Sequence, residues 1–320
     1  MKVETINVIP LSGGKDSQAV AEIAHQEGVE NILHCFADTG IESQITYDHL
    51  DYLEQAFGQK ITRLKRSFAA EIENKRAYIE FVWRAEGVSD AVCERALSVL
   101  KPTGIPFLDL CLIKGRFPGH ASAEFCSIEL KQKTMEDHQH YLFRQCAKNL
   151  ICWQGTRRDE SARRAQLTEW EADIGDIEKR TGKLVYRPIV HWNESQVFDF
   201  LAKSGKKINP LYEKGFKRVG CFPCKNEVKN SVRLIADLYP EYIEMVAEME
   251  KAVSEASKHG VSTFFDARVT AAFLKDELIA VDTHGVNAYV EWSRSKKNGR
   301  GWQKTLFAEN NQCSVLGYCE

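Results

Sequence analysis

The sequence predicts a doubly wound α/β fold, a mostly parallel five-stranded sheet with helices on both faces and a helical C-terminal extension. Three features carry that expectation. Short apolar runs alternate with helical patterns over residues 3–64, the signature of parallel strands joined by crossover helices. A glycine pair sits at the first strand-to-helix junction. Two further strand patterns follow at 150–154 and 185–191, with helical stretches between and after them.

In chain order, Val3 to Leu11 reads as a buried strand and Ser17 to Gln26 as a helix stopped by Gly28. Asn31 to Phe36 is a second buried strand, ended by Asp38-Thr39-Gly40. Ser43 to Phe57 is helical with Gly58 as its C-cap, and Lys60 to Leu64 is the third strand. Residues 69–100 read as helix broken near Gly87, and the Pro- and Gly-rich stretch 101–125 as an irregular insertion. Thr134 to Lys148 is a helix, Leu150 to Gln154 the fourth strand and Val185 to His191 the fifth. A helix from Asn193 to Lys203 starts on an Asn cap. Residues 231–258 form amphipathic helix broken at Pro240, and the tail after Ser262 shows no clear periodicity.

The chain has 320 residues, 43% hydrophobic and 28% charged, enough apolar content for a real core. These divide into a nucleotide-binding domain over 1–230 and an extension over 231–320 that ends in a cysteine-bearing tail. The net charge of −2 does not demand a nucleic-acid partner. No stretch reaches the roughly 20 apolar residues of a membrane helix, and the N-terminus runs straight into a strand, not a signal peptide. A cytoplasmic location is therefore expected, and a homo-oligomer is allowed.

Ser12-Gly13-Gly14-Lys15-Asp16-Ser17 lies where strand one meets helix one. Paired glycines let backbone N–H groups converge on an anion, and the helix dipole adds to the attraction. Lys15 can neutralise phosphate, Ser12 and Ser17 can donate hydroxyl hydrogen bonds, and Asp16 can hold a metal ion or orient the loop. The spacing is neither the Walker pattern nor the dinucleotide fingerprint. A second motif follows strand four: Gly155-Thr156-Arg157-Arg158-Asp159-Glu160-Ser161-Ala162-Arg163-Arg164. Guanidinium forks there suit phosphate or sulfate, and Asp159 and Glu160 can hold the arginines or a cation.

The hexapeptide resembles the PP-loop of the ATP pyrophosphatase superfamily, which implies an adenine nucleotide α-hydrolase-like fold, ATP with Mg²⁺, and cleavage between the α- and β-phosphates. The arginine–acid motif resembles that of the phosphoadenylyl-sulfate reductase family in the broad sense. Three more segments are similar to that family's: Phe125-Cys126-Ser127-Ile128-Glu129-Leu130-Lys131, Tyr186-Arg187-Pro188-Ile189-Val190-His191-Trp192, and Ile208-Asn209-Pro210-Leu211-Tyr212 through Gly220-Cys221-Phe222-Pro223-Cys224. The resemblance spans roughly residues 1–230. It implies a catalytic set of Lys15, Asp16, Arg157, Asp159, Glu160 and Arg163, and a nucleotide cradle of Ser12 to Ser17 with Asp38 and Gly155.

Of ten cysteines, Cys35, Cys93, Cys111, Cys146 and Cys152 sit in apolar or helical patterns and read as packing. Cys221-Phe222-Pro223-Cys224 can bite a metal or form a redox pair. Cys126 is a third candidate ligand, and Cys319, with Cys313 as the alternative, a fourth. The resemblance favours a [4Fe–4S] cluster over zinc, and reduced cysteines with no metal remain the bland reading. The chain departs from cluster-bearing reductases in having Ser127, not cysteine, after Cys126, and it lacks their C-terminal Glu-Cys-Gly-Leu-His. Cys319 is thus either a ligand or a mobile nucleophile.

The expected activity is ATP-dependent adenylation of an acceptor in sulfur transfer. A thiol-dependent sulfonucleotide reductase and a non-catalytic nucleotide or nucleic-acid-binding module are the alternatives. A sulfur donor or thiol reductant is an expected partner. A nucleic-acid acceptor would rest on the basic stretch Arg294 to Trp302, for which a solvated loop is the better reading.

Overall fold

The structure is a computed structural model, and it describes residues 3–119, 124–172, 182–276 and 278–296. Its centre is a six-stranded sheet in the order β3-β2-β1-β4-β6-β5. The strands are β1 Val3–Pro10, β2 Ile32–Asp38, β3 Ile61–Lys65, β4 Ala147–Trp153, β5 Trp170–Ala172 and β6 Gly182–Tyr186. All neighbours are parallel except β5, which runs antiparallel to β6 at the edge. The expected sheet of five strands thus gains a sixth, a three-residue edge strand too short to show a period. The fifth expected strand ends at Tyr186 rather than His191, because Pro188 cannot donate to a ladder and the chain turns there.

Alternation along the strands builds two cores. On β1 and β2, Ile9 and Phe36 face α1 (Lys15–Gln26), α2 (Gln44–Phe57) and α7 (Glu194–Ser204) through Ala19, Leu50, Leu53, Val197 and Leu201. Val8 and Cys35, one residue earlier, face Met135 and Leu142 of α6 (Lys133–Gln145) on the opposite side. The period of two that exchanges faces makes the sheet doubly wound. Ser43 caps α2, Gly58 closes it with φ +62°, and Asn193 caps α7.

A separate helical layer covers the carboxyl side of the sheet. It comprises α3 (Ala69–Tyr78), α4 (Asp90–Val99), α5 (Pro106–Lys114), α8 (Lys229–Leu238), α9 (Pro240–Ala256), α10 (Ala267–Leu274), α11 (Val281–His284) and α12 (Val286–Arg294). One apolar cluster runs through most of it, from Ile41 and Phe68 to Val253 and Trp292. Two expectations are corrected here. The stretch 101–125 is not wholly irregular, since Pro106 occupies the first turn of α5 and the run Phe-Leu-Asp-Leu-Cys-Leu is mostly buried. The tail after Ser262 also contains helices, anchored by a buried carboxylate. Glu250 accepts from Phe264 N at 2.6 Å and Val286 N at 2.7 Å, and burial pushes its pKa up to about 7. The break at Pro240 is as expected. Among the described residues no helix is long and apolar enough to cross a membrane.

His34 is fully buried on β2, with its Nε2 3.0 Å from His25 Nε2, and burial lowers its pKa from 6.5 to about 4. The folded state therefore binds fewer protons than the unfolded chain, so His34 costs stability as pH falls from about 6.5 to 4. Urea midpoints measured across that window are expected to fall less steeply in His34→Leu than in the parent.

Candidate functional site

The strand order reverses between β1 and β4, so the crevice at their carboxyl ends is the topological switch point of the sheet. The two predicted motifs meet there. Gly13 has φ +81°, and a Cβ on it would lie 2.7 Å from Thr46 Cγ2. A Cβ on Gly155, after β4, would lie 2.9 Å from the carbonyl carbon of Asp16. Glycine at both positions is what lets the two loops close on one another.

The loop is braced from within and from a distant segment. Ser17 Oγ donates to Gly14 O at 2.9 Å and accepts from Ser12 N at 3.1 Å, with Ser12 Oγ 3.0 Å away. Both serines expected to reach phosphate thus also hold the loop's own shape. Asn209 Nδ2 donates to Gly13 O and to Thr46 Oγ1, both at 3.2 Å, and the Tyr212 hydroxyl accepts from Lys15 N at 3.0 Å. Asn209 and Tyr212 are site residues that sequence reasoning quoted only as part of a motif. Their signal was the Asn-Pro-Leu-Tyr segment itself.

Charge is concentrated below the loop. Asp16 is fully buried, with Lys15 Nζ 2.8 Å from Oδ2 and Arg157 Nε 2.6 Å from Oδ1. Lys15 is 5% exposed, lies 3.6 Å from Glu194 Oε1, and stands over the rings of Phe198 and Tyr212. Arg157 Nη1 binds Asp159 at 2.6 Å and its backbone N–H donates to Glu160 Oε2 at 3.0 Å. Glu160 also pairs with Arg164. Arg163 is exposed, whereas Arg164 is buried, so the structure places the neighbour of the predicted residue in the cluster.

Asp38 ends β2 on the same edge. Its Oδ1 accepts from Gly40 N at 2.9 Å and from Tyr47 Oη at 2.7 Å. Glu42, missed in the sequence, is buried beside it. Its carboxylate accepts from Thr39 Oγ1 at 2.6 Å and from Tyr47 Oη at 3.1 Å. Burial raises the Glu42 pKa, against the attraction of Lys131 and the Thr39 hydrogen bond. Burial and then the Glu42 charge raise that of Tyr47.

Two cavities adjoin at this edge. One is lined by Ser12, Ser17, Glu42 and Lys131 among others, the second by Cys126, Cys221, Cys224, Lys225 and again Lys131. Lys131 belongs to a π-helical turn, Ser127–Gln132, that leads into α6. Cys221 Sγ lies 3.6 Å from Thr39 Oγ1 and 3.8 Å from Glu42 Oε1, and Glu42 pairs with Cys221 in an isolated antiparallel bridge. Cys126, Cys221 and Cys224 form no disulfide. Three thiols beside the buried ammonium of Lys225 suit a thiolate-held, negatively charged cluster in kind. They do not converge: among the described residues no three His, Cys, Asp or Glu side chains are grouped to hold a metal ion. Cys313, Cys319 and most of the basic stretch 294–302 lie outside the described residues.

The family profile of the phosphoadenosine phosphosulfate reductase domain matches residues 6–227. The chain belongs to that family. It is 40% identical over 332 residues, covering 99% of this chain and 97% of its relative, to a protein of Escherichia phage 186 described as an uncharacterized 37.8 kDa protein in the gpa 5′ region. It is 32% identical to the adenosine 5′-phosphosulfate reductase of Neisseria meningitidis serogroup B, over 36% of this chain and 44% of that enzyme. A crystal structure of phosphoadenylyl-sulfate reductase from Candida auris aligns with a TM-score of 0.40 and 14% identity, covering 68% of this chain and 82% of that one.

Removing a cation from a buried pair strands the opposite charge, at a cost of about 3–5 kcal/mol. Arg157→Met is therefore expected to destabilise the protein by about that amount in urea unfolding. The double variant Arg157→Met, Asp16→Asn should recover part of the loss. Gly13→Ala should cost about 1–3 kcal/mol in the same assay, from its positive φ and the Thr46 clash.

Proposed function

We propose that the chain binds ATP at Ser12–Ser17 and cleaves it at the α-phosphate, adenylating an acceptor in sulfur metabolism. Supporting this reading is the placement of Lys15, Asp16 and Arg157 as one buried ion cluster at the switch point, with the helix α1 N-terminus directed at the same crevice. A ligand phosphate would compete with Asp16 and Glu194 for the Lys15 ammonium, which then neutralises charge on the departing pyrophosphate. An acceptor oxygen attacks the α-phosphorus, the bond to the bridging oxygen breaks, and pyrophosphate leaves with that electron pair. Asp16 and Asp38 are the proposed carboxylates for Mg²⁺. Arg157, oriented by Asp159 and Glu160, holds the anionic intermediate, with Gly155 permitting close approach and Arg163 meeting the acceptor from solvent. Residues 1–230 would carry this chemistry and 231–320 would serve as the extension behind it.

A second reading, a thiol-dependent sulfonucleotide reductase, is favoured by the three cysteines lining a cavity that shares Lys131 with the phosphate loop, and by the partial similarity to an adenosine 5′-phosphosulfate reductase. Cys126, Cys221 and Cys224, with Cys319 or Cys313 as fourth, would hold a [4Fe–4S] cluster. Such a cluster supplies electron or sulfur chemistry when bound.

One assay separates the two: ATP consumption with pyrophosphate release, against thioredoxin-dependent sulfite release from a sulfonucleotide. Lys15→Ala is expected to abolish turnover in either while the protein still folds, at a lower melting temperature because buried Asp16 loses a cation, and full activity in that variant would dismiss the role given to the loop. Anaerobic purification should yield iron and sulfide in about equal amounts, lost together in Cys221→Ser; their absence removes the cluster from the reading.

A further inference from the structure

Charge is not spread evenly along the chain. The stretch from Lys203 to Arg233 holds nine Lys and Arg against two Glu, in a protein whose net charge is −2. Lys203, Lys207, Lys214, Lys217 and Arg233 are exposed. Elsewhere surface cations are matched: Arg84 has Glu80, Asp90 and Glu94, Lys148 has Glu4, and Arg294 has Asp237 and Glu291. Within the stretch Lys206 pairs with Glu22 Oε2 at 2.7 Å. Among the described residues, however, no carboxylate lies within 4 Å of the five exposed cations. One of the two acids, Glu227, is turned to its own loop, where its Oε1 accepts from Cys224 N at 3.4 Å.

The backbone that bears these cations is braced beside the glycine loop. Lys207 O accepts from Gln18 Nε2 of α1 at 2.9 Å, and Lys207 N donates to Tyr52 Oη at 2.9 Å. Asn209 and Tyr212 hold the loop itself. A tight turn follows, in which Lys214 N and Phe216 N donate to Leu211 O at 3.1 and 3.2 Å. Leu211 and Phe216 are buried, so the turn presents Lys214 and Lys217 to solvent. Helix α8 packs on that turn, with Leu234, the neighbour of Arg233, 3.8 Å from a Cβ position on Gly215.

Unmatched cations on a fixed backbone are complementary to a ligand with repeated negative charge. A protein partner would need an apolar, charge-poor centre to the contact. Among the described residues, Val228 is the one large hydrophobic side chain exposed in the stretch. A sugar–phosphate backbone needs cations alone. We propose that residues 203–233 form a nucleic-acid-binding edge that grips the phosphate backbone without reading its sequence. The nucleic-acid contact expected at Arg294 to Trp302 is thereby assigned to a stretch that borders the glycine loop. That the bound strand is the acceptor rests on the adenylation reading; its binding does not.

Fluorescence anisotropy of the full chain with labelled single strands of about 20 nucleotides, DNA and RNA of one sequence, tests this. At least one strand is expected to bind, with log K falling linearly against log salt. The triple variant Lys207→Gln, Lys214→Gln, Lys217→Gln should lose about tenfold in affinity at low salt. Its salt slope should flatten by about 2, because each lost backbone contact removes about 0.7. Lys60→Gln with Lys251→Gln, which neutralises two exposed lysines elsewhere, should bind like the wild type, as should Lys15→Ala. The proposal is overturned if neither strand binds, if the triple variant binds undiminished, or if the remote pair loses as much. Loss of binding in Lys15→Ala would place the strand in the glycine loop and also overturn it. So would displacement by polyglutamate as effective as that by unlabelled strand, which marks an acidic protein as the partner. Should the triple variant melt below the wild type, Lys214→Gln with Lys217→Gln must still flatten the slope by about 1 or more. ATP binding by the wild type, recorded on the same sample, reports separately on the nucleotide reading.

Discussion

A carboxylate with no access to water must be matched by cations held at fixed positions, and Asp16 is such a carboxylate. Lys15 and Arg157 supply the match from opposite sides of the switch point, one from the loop after β1 and one from the loop after β4. Most of the site follows from that requirement. Gly155 is needed because the β4 loop must approach the Asp16 backbone closely enough to deliver Arg157. Asp159 and Glu160 are needed because a guanidinium so deep has to be held on its remaining edges. The acids and bases of the crevice are thus paired with one another across the two loops.

The helical layer determines what lies next to that crevice. Without α5 and the π-helical turn before α6, the carboxyl ends of β1 and β2 would open to solvent. With them, Lys131 is buried between the phosphate loop and the cysteines, and Glu42 faces Cys221. The bulge in the helix places Lys131 near Glu42 while Met135, four residues on, still reaches the sheet core. The glycine-rich loop after β1 and the three thiols are therefore adjacent because of a packing arrangement in the layer, not through any single motif.

The sheet was legible because its strands are short apolar runs with glycine or turn residues at their ends, and both loops were legible because they fall at strand ends. What stayed hidden had physical causes. The three residues of β5 cannot show a period, and α5 is buried nearly all round, so it shows no polar face to mark it as a helix. Glu42 and Tyr47 act through contacts made only in three dimensions, and no local spacing announces them; Asn209 and Tyr212 were visible as members of the Asn-Pro-Leu-Tyr segment, but not their contacts with the loop. Arg163 and Arg164 were indistinguishable as neighbours in a charged run; the short helical turn at Arg164–Gln166 turns one inward and leaves the other outside.

The hydrogen bond from Lys15 N to the Tyr212 hydroxyl, with Asn209 on Gly13 O, joins groups nearly two hundred positions apart. On a ribosome the first three strands and their helices would emerge and begin to pack long before those anchors exist. The early β-α-β-α-β unit would hold its glycine turn without its distant brace, and without Arg157 to match Asp16. The bracing of the glycine turn is in this way tied to completion of the chain to about residue 212, and a nascent or truncated fragment that ends earlier would carry the turn without it.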